Sequence, residues 1–354
     1  MTDKLPPIYF YIPQADWPAE GISENIELWP QELFRLGKYS WTLQTYLRLK
    51  ADGFLCELTG NCPTEGIVFA GRSAFPDNLQ PGSRLLMIVH QGDKTRHPYA
   101  QIHIVQNPQD KMLVRSVALW ESYFMRHWPQ PGLIPRNPAR GDRFENVAFF
   151  GREENLAPEL REPSWQDQLT ALGLHWHRVI HPDRWNDYSY VDALVAVRKF
   201  AHQSGYDWKP ATKLYQAWHA GIPAILGCES AYRAERKSEL DYLEVTSLDE
   251  LMGALWRLRN DKELRHAMVE NGRVRAEETQ PTRLVTQWRT FFTQIAVPAY
   301  DRWCNGSNLT RKIFVTRRDL AIKTQGMRKN LQKVRNHLGI RSRLRTIVSS
   351  VRGT

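Results

Sequence analysis

The stretch KPATKLYQAWHAGIPAILG, from Lys209 to Gly227, carries the residue types and spacing best suited to chemistry. Pro210 and Thr212 fit a helix start with Thr212 as its N-cap, and Gly221 fits the helix end. A helix N-terminus offers unpaired N–H groups and a partial positive charge, a natural seat for phosphate. Lys209 and Lys213 flank that start and add full charges. Pro223 is tolerated only at the first position or the edge of the strand that follows. The far end of that strand then presents Glu229, Tyr232 and Arg233. A carboxylate there suits ribose or sugar hydroxyls, and the basic loop suits a diphosphate.

The elements that would hold these groups alternate between strand and helix. In the second half, NVAFFG (146–151), HWHRVI, VDALVAV and PAILG read as strands, and SWQDQLTALGL and TKLYQAWHAG as helices. LDELMGALWRLRND and LRHAMVENGRVRAEE follow with helical apolar spacing. In the first half, IYFYIP, FLCEL, GIVFAG, RLLMIVH and AQIHIVQNP are β-rich runs between turns, with a helix from about Trp41 to Gly53. The alternation predicts mostly parallel sheets. HWPQPGLIPRNPARG (127–141) is crowded with Pro and Gly and cannot carry a helix or central strand. It separates an expected first unit, 1–126, from a second, 146–300, with 127–145 as linker. Two such units face each other across a cleft, and ligands of doubly wound sheets bind at the strand carboxyl ends.

Composition bounds the function. A chain of 354 residues with 42% hydrophobic content suits two α/β domains. Cys56, Cys62, Cys228 and Cys304 form no C-x-x-C pair and no disulfide framework. The N-terminus lacks a signal-peptide pattern, and no run approaches the ~20 apolar residues of a membrane span. The expected location is the cytoplasm or a cytosolic membrane face. The net charge of +10 is uneven: residues 301–354 hold 14 Lys and Arg against 2 Asp and Glu, and the rest hold 34 against 36. Within this tail, Met327, Leu331, Val334 and Leu338, then Ile340, Leu344, Ile347, Val348 and Val351, recur at helical spacing. A basic amphipathic tail of this kind suits an anionic membrane surface. No nucleic-acid motif accompanies it.

The segment from Lys209, reading K-P-x-x-K-L-x-x-A-W-x-A-G-x-P, resembles the donor-binding domain of GT-B glycosyltransferases, in particular the bacterial "group 1" enzymes. The resemblance runs from about 146 to 292. It implies two Rossmann-like domains and transfer from a nucleotide sugar to a glycan or lipid-linked acceptor, as in polysaccharide biosynthesis. It implies a diphosphate contact for the Gly151-Arg152 turn and a second cation from Arg198 or Lys199. It also implies helix-start phosphate contacts at Thr212 and Lys213, and a sugar or ribose contact at Glu229. These preorganised charges would stabilise the diphosphate leaving group.

The chain departs from the family's retaining pattern. That pattern has two Glu residues eight positions apart, where this chain has Trp208 and Gln216. A branch that uses an amide at Gln216, a donor held differently, and loss of activity are the three readings. The last would make the chain a non-catalytic nucleotide- or glycan-binding scaffold at the membrane surface. No D-x-D occurs, so no metal and no other cofactor is expected, with Arg152, Lys199 and Lys213 in the cation's place. Candidate bases are strand-end residues of the first half: His90 foremost, then Asp16 and Glu20. From the linker, Trp128, Gln130 and Asn137 are candidates to touch an acceptor.

Overall fold

The computed structural model describes residues 5–19, 21–113, 120–202 and 205–337, with side chains as far as 324. Glu20 and the tail positions Leu338, Ile340, Leu344, Ile347, Val348 and Val351 lie outside the described residues.

The first body is built on a parallel sheet. Its strands are β1 (Ile8–Tyr11), β2 (Glu57–Thr59), β3 (Gly66–Gly71), β4 (Leu85–His90), β5 (Ile102–Val105) and β6 (Glu121–Phe124), in the order β2-β1-β3-β4-β5-β6. Runs such as LLMIVH are buried along their whole length, as strands covered on both faces are. A π-helical turn (Lys38–Leu43) leads into α1 (Gln44–Ala51). The pairing of β3 with β4 sets Gly71 opposite His90 at the carboxyl ends.

The second body repeats the plan. Strands β7 (Asn146–Phe150), β8 (His175–Val179), β9 (Ala193–Ala196), β10 (Ala224–Gly227) and β11 (Leu243–Val245) form a parallel sheet ordered β11-β10-β9-β7-β8. Its helices are α2 (Pro163–Ala171), α3 (Thr212–Ala220), α4 (Ser230–Glu235), α5 (Leu248–Asn260) and α6 (Lys262–Ala276). Ser247 caps α5 by accepting from Glu250 N at 3.1 Å, and Asp261 caps α6 by accepting from Leu264 N at 2.9 Å. Gly221 ends α3 in the left-handed conformation (φ 68°, ψ 42°).

The chain then returns to the first body. From α7 (Pro281–Phe291) and the π-helical turn Phe292–Ala296 that joins it to α8 (Val297–Asn305), Leu284, Trp288, Phe292 and Ala296 are buried among Phe10, Trp41, Phe69 and Ile88. The Trp288 ring meets Phe69 edge-on at 5.2 Å. This corrects the expected second unit of 146–300, because the apolar face of 281–300 is covered by the first sheet. Within the linker segment, Arg136 and Arg140 both bond the buried Asp192 of the second body at 2.9 Å. A last helix, α9 (Asn308–His337), lies against the first body. No helix among the described residues is long and apolar enough to cross a membrane.

Candidate functional site

The carboxyl ends of both sheets open into one cleft of about 680 Å³. The first body contributes Gly71, Arg72, His90 and Gln91; the second contributes Gly151, Arg152, Arg198, Thr212 and Lys213. Eight Lys and Arg line it against three Asp and Glu, so its field favours a polyanion.

The start of α3 forms one wall. Ala211 occupies the N-cap and makes no side-chain cap bond. That corrects the expectation for Thr212, which is instead the first helical residue. Tyr215 N is the donor to Ala211 O, at 3.2 Å, so the N–H groups of Thr212, Lys213 and Leu214 have no acceptor within the helix. Beside them, Gly151 follows β7 with φ 144°, a backbone open to glycine. A methyl there would sit 3.3 Å from the Phe149 ring and 3.8 Å from Lys213 Cε. The lysine therefore passes close over the turn, and Arg152, half exposed, borders the same space. Burial, with Arg198 as a positive neighbour, pushes the Lys213 pKa down to about 7. Its ammonium lies 5.8 Å from the Trp185 ring.

Arg198 and Glu229 leave adjacent strands, β9 and β10, and pair at 3.0 Å. Asn155 accepts a further bond from Arg198. Burial holds the Glu229 carboxyl above its ordinary range, against the pull of Arg198. Tyr232, one turn on in α4, is buried at the same wall. Lys209 reaches across the cleft to Asp93, in the loop after β4. Gln106 Nε2 donates to Trp208 O at 3.0 Å, a second bond between the bodies. The Trp208 ring itself packs edge-on against Tyr206.

Gln216 is fully engaged. Its Oε1 accepts from Tyr188 OH at 3.0 Å and from Lys213 Nζ at 3.3 Å, and its Nε2 donates to Gln130 Oε1 at 3.4 Å. Of the linker candidates, Gln130 alone lines the cleft. Trp128 is buried with its N–H on Thr45 Oγ1 at 2.9 Å, and Asn137 caps a short turn.

His90 lines the first body's side of the cleft, stacked on Trp41 at 4.0 Å. Burial, with His127 as a second cause, drops its pKa to about 3, so the ring is neutral. Its Nε2 is enclosed and has no hydrogen-bond partner among the described residues. Asp16 also borders the cleft but is paired with Lys38 at 2.8 Å.

Two expected cations are not brought in. Lys199 is exposed and turned away from the cleft. It follows Arg198 in the bend after β9. Arg233 makes a bidentate pair with Glu244 at 2.8 and 2.7 Å, outside the cleft. Sequence reasoning missed Trp185, Tyr188 and Asn155, which stand in loops without motif spacing. It also missed Arg72, although GIVFAGR repeats the strand-Gly-Arg order of NVAFFGR. Arg72 is held by Asp77 and by Thr95 O at 2.9 Å. Among the described residues no cluster of three or more His, Cys, Asp or Glu could hold a metal ion.

A scan of protein-family models and a search of curated proteins find no match. Solved structures do match. A sucrose-phosphate synthase from Thermosynechococcus elongatus is similar with TM-score 0.50 and 15% identity, over 82% of this chain and 99% of that one. HepE from Anabaena, in complex with UDP, gives 0.47 and 12%, over 82% and 100%. AviGT4, a glycosyltransferase involved in avilamycin A biosynthesis, gives 0.47 and 13%, over 85% and 99%. The chain has the GT-B fold: two parallel α/β bodies facing a cleft.

Proposed function

We propose that the chain is a glycosyltransferase that moves a sugar from a nucleoside-diphosphate donor to a hydroxyl of a glycan or lipid-linked acceptor. The observation that carries this reading is the uncapped start of α3. Three free N–H groups, Lys213, Arg152 and Arg198 meet there on one wall of a cleft between two parallel sheets. Fold alone does not choose a chemistry. A preorganised anion seat does, because the diphosphate gains negative charge as the glycosidic bond breaks. The three cleft carboxylates are each engaged by a cation: Asp16 by Lys38, Asp93 by Lys209 and Glu229 by Arg198. That donor set favours a metal-independent reaction, in which side-chain cations carry the leaving-group charge.

His90 takes the part of proton acceptor in this proposal. Its neutral ring is in the right form, and negative charge from a bound donor would raise its basicity. The ring must turn out of its stack on Trp41 to expose Nε2.

The engagement of every cleft carboxylate also favours a second reading, a scaffold that binds nucleotide or glycan without transfer. One assay separates the two. Purified protein is incubated with UDP- and GDP-sugars, and nucleoside diphosphate release is followed with and without EDTA. Release that survives EDTA supports the metal-independent transferase. Donor binding without release supports the scaffold, and absence of both removes the two readings together.

A further inference from the structure

We propose that α9 is a docking surface for an anionic lipid bilayer and that it brings the first body, rather than the second, against the membrane. This deepens the transferase reading by saying where an acceptor would arrive, but it rests on different residues.

Helix α9 has two unlike sides. One is fixed to the first body. Arg318 is 2% exposed, with its guanidinium 4.3 Å from the Trp120 ring and 4.5 Å from the Phe314 ring. Asp319 accepts from Tyr99 OH at 2.6 Å. Just before α9, Trp303 donates to Gly82 O at 2.8 Å and meets Phe314 edge-on at 5.0 Å. The other side is bare. Leu309, Ile313 and Leu320 are 67%, 44% and 64% exposed. Steps of four and seven residues put these three on one stripe of a helix, roughly opposite Arg318. Exposed Lys312, Arg317 and Lys323 stand to either side of the stripe. In the sequence the same spacing continues through Met327, Leu331 and Val334.

An aliphatic stripe bordered by lysine and arginine matches the boundary between acyl chains and anionic headgroups. Two other occupants fit less well. A second copy would set basic flanks against basic flanks, since Asp319 is the sole acidic residue after Asp301 and is already bonded to Tyr99. A nucleic acid would want aromatic platforms beside the cations, whereas Trp303 and Phe314 are packed on each other. A bilayer uses both the stripe and its charged borders.

The test is co-sedimentation of the full chain with phosphatidylcholine vesicles, with and without about a quarter phosphatidylglycerol. Two variants are compared: Leu309→Glu with Ile313→Glu and Leu320→Glu, and Lys312→Gln with Arg317→Gln and Lys323→Gln. The wild type is expected to pellet with the anionic vesicles only. Each variant is expected to bind roughly tenfold or more weakly, with unchanged thermal unfolding and unchanged response to nucleotide. Equal binding by wild type and variants, or no binding by either, overturns the proposal. So does a concentration-dependent dimer that the glutamate variant abolishes, or binding that ribonuclease treatment removes. Vesicle binding without any nucleotide response leaves the docking surface standing and counts against the transferase alone.

Discussion

The ammonium of Lys213 lies 3.3 Å from the amide oxygen of Gln216, and among the described residues it has no carboxylate partner. An amide holds the lysine in place without neutralising it, so its charge remains available to an anion. We predict that Gln216→Glu weakens pyrophosphate binding, because the new carboxylate competes for Lys213. The same change should raise the Lys213 pKa. Isothermal titration with pyrophosphate checks this, and tighter binding would show that the residue serves another part of the ligand.

The depressed pKa of Lys213 sets a pH dependence with a definite sign. Above its folded pKa of about 7 the lysine is neutral, while in the unfolded chain it stays protonated to its ordinary 10.5. The unfolded state then binds more protons, so this group's effect is for stability to rise with pH across that window. Anion binding has the opposite slope, because the lysine must take up a proton to pair. Diphosphate affinity should fall as pH rises from about 7 to about 9, approaching tenfold per pH unit at most. Lys213→Met should flatten both profiles.

His90→Asn is predicted to lower transfer by roughly a hundredfold or more, the usual contribution of a general base. Donor binding should be nearly unchanged, because His90 stands on the first body's side of the cleft. Activity measured alongside the nucleotide-induced thermal shift checks this. Retained activity would assign His90 to packing against Trp41.

The return of the chain through α7 and α8 makes the first body dependent on the C-terminal region. Trp288→Ala should cost about 3–5 kcal/mol, the range for emptying a buried aromatic site. A chain ended at 280 should fail to form the first body, and one ended at 307 should form both. Thermal unfolding and near-UV circular dichroism check the difference.

Local patterns made much of this legible from the residues alone. The alternation of apolar runs and helices gives two parallel bodies, and the Lys209–Gly227 stretch points to the helix start that borders the cleft. What sequence could not show depends on tertiary direction. Arg198 and Lys199 are adjacent, yet the bend after β9 leaves one lining the cleft and the other exposed outside it. Arg233 follows Tyr232 by a third of a helical turn, enough to aim it at Glu244 instead. Tyr188 and Trp185 reach Gln216 and Lys213 from loops that carry no periodic signal.

Calorimetric titration of UDP and GDP into the wild type and into the Lys213→Ala, Arg152→Ala double variant tests the anion seat most directly. At least one nucleotide should bind the wild type, and the double variant should lose that binding, while Arg233→Ala and Lys199→Ala retain it. Equal binding by wild type and double variant, or loss of binding on changing Arg233 alone, would contradict a diphosphate seat at the start of α3.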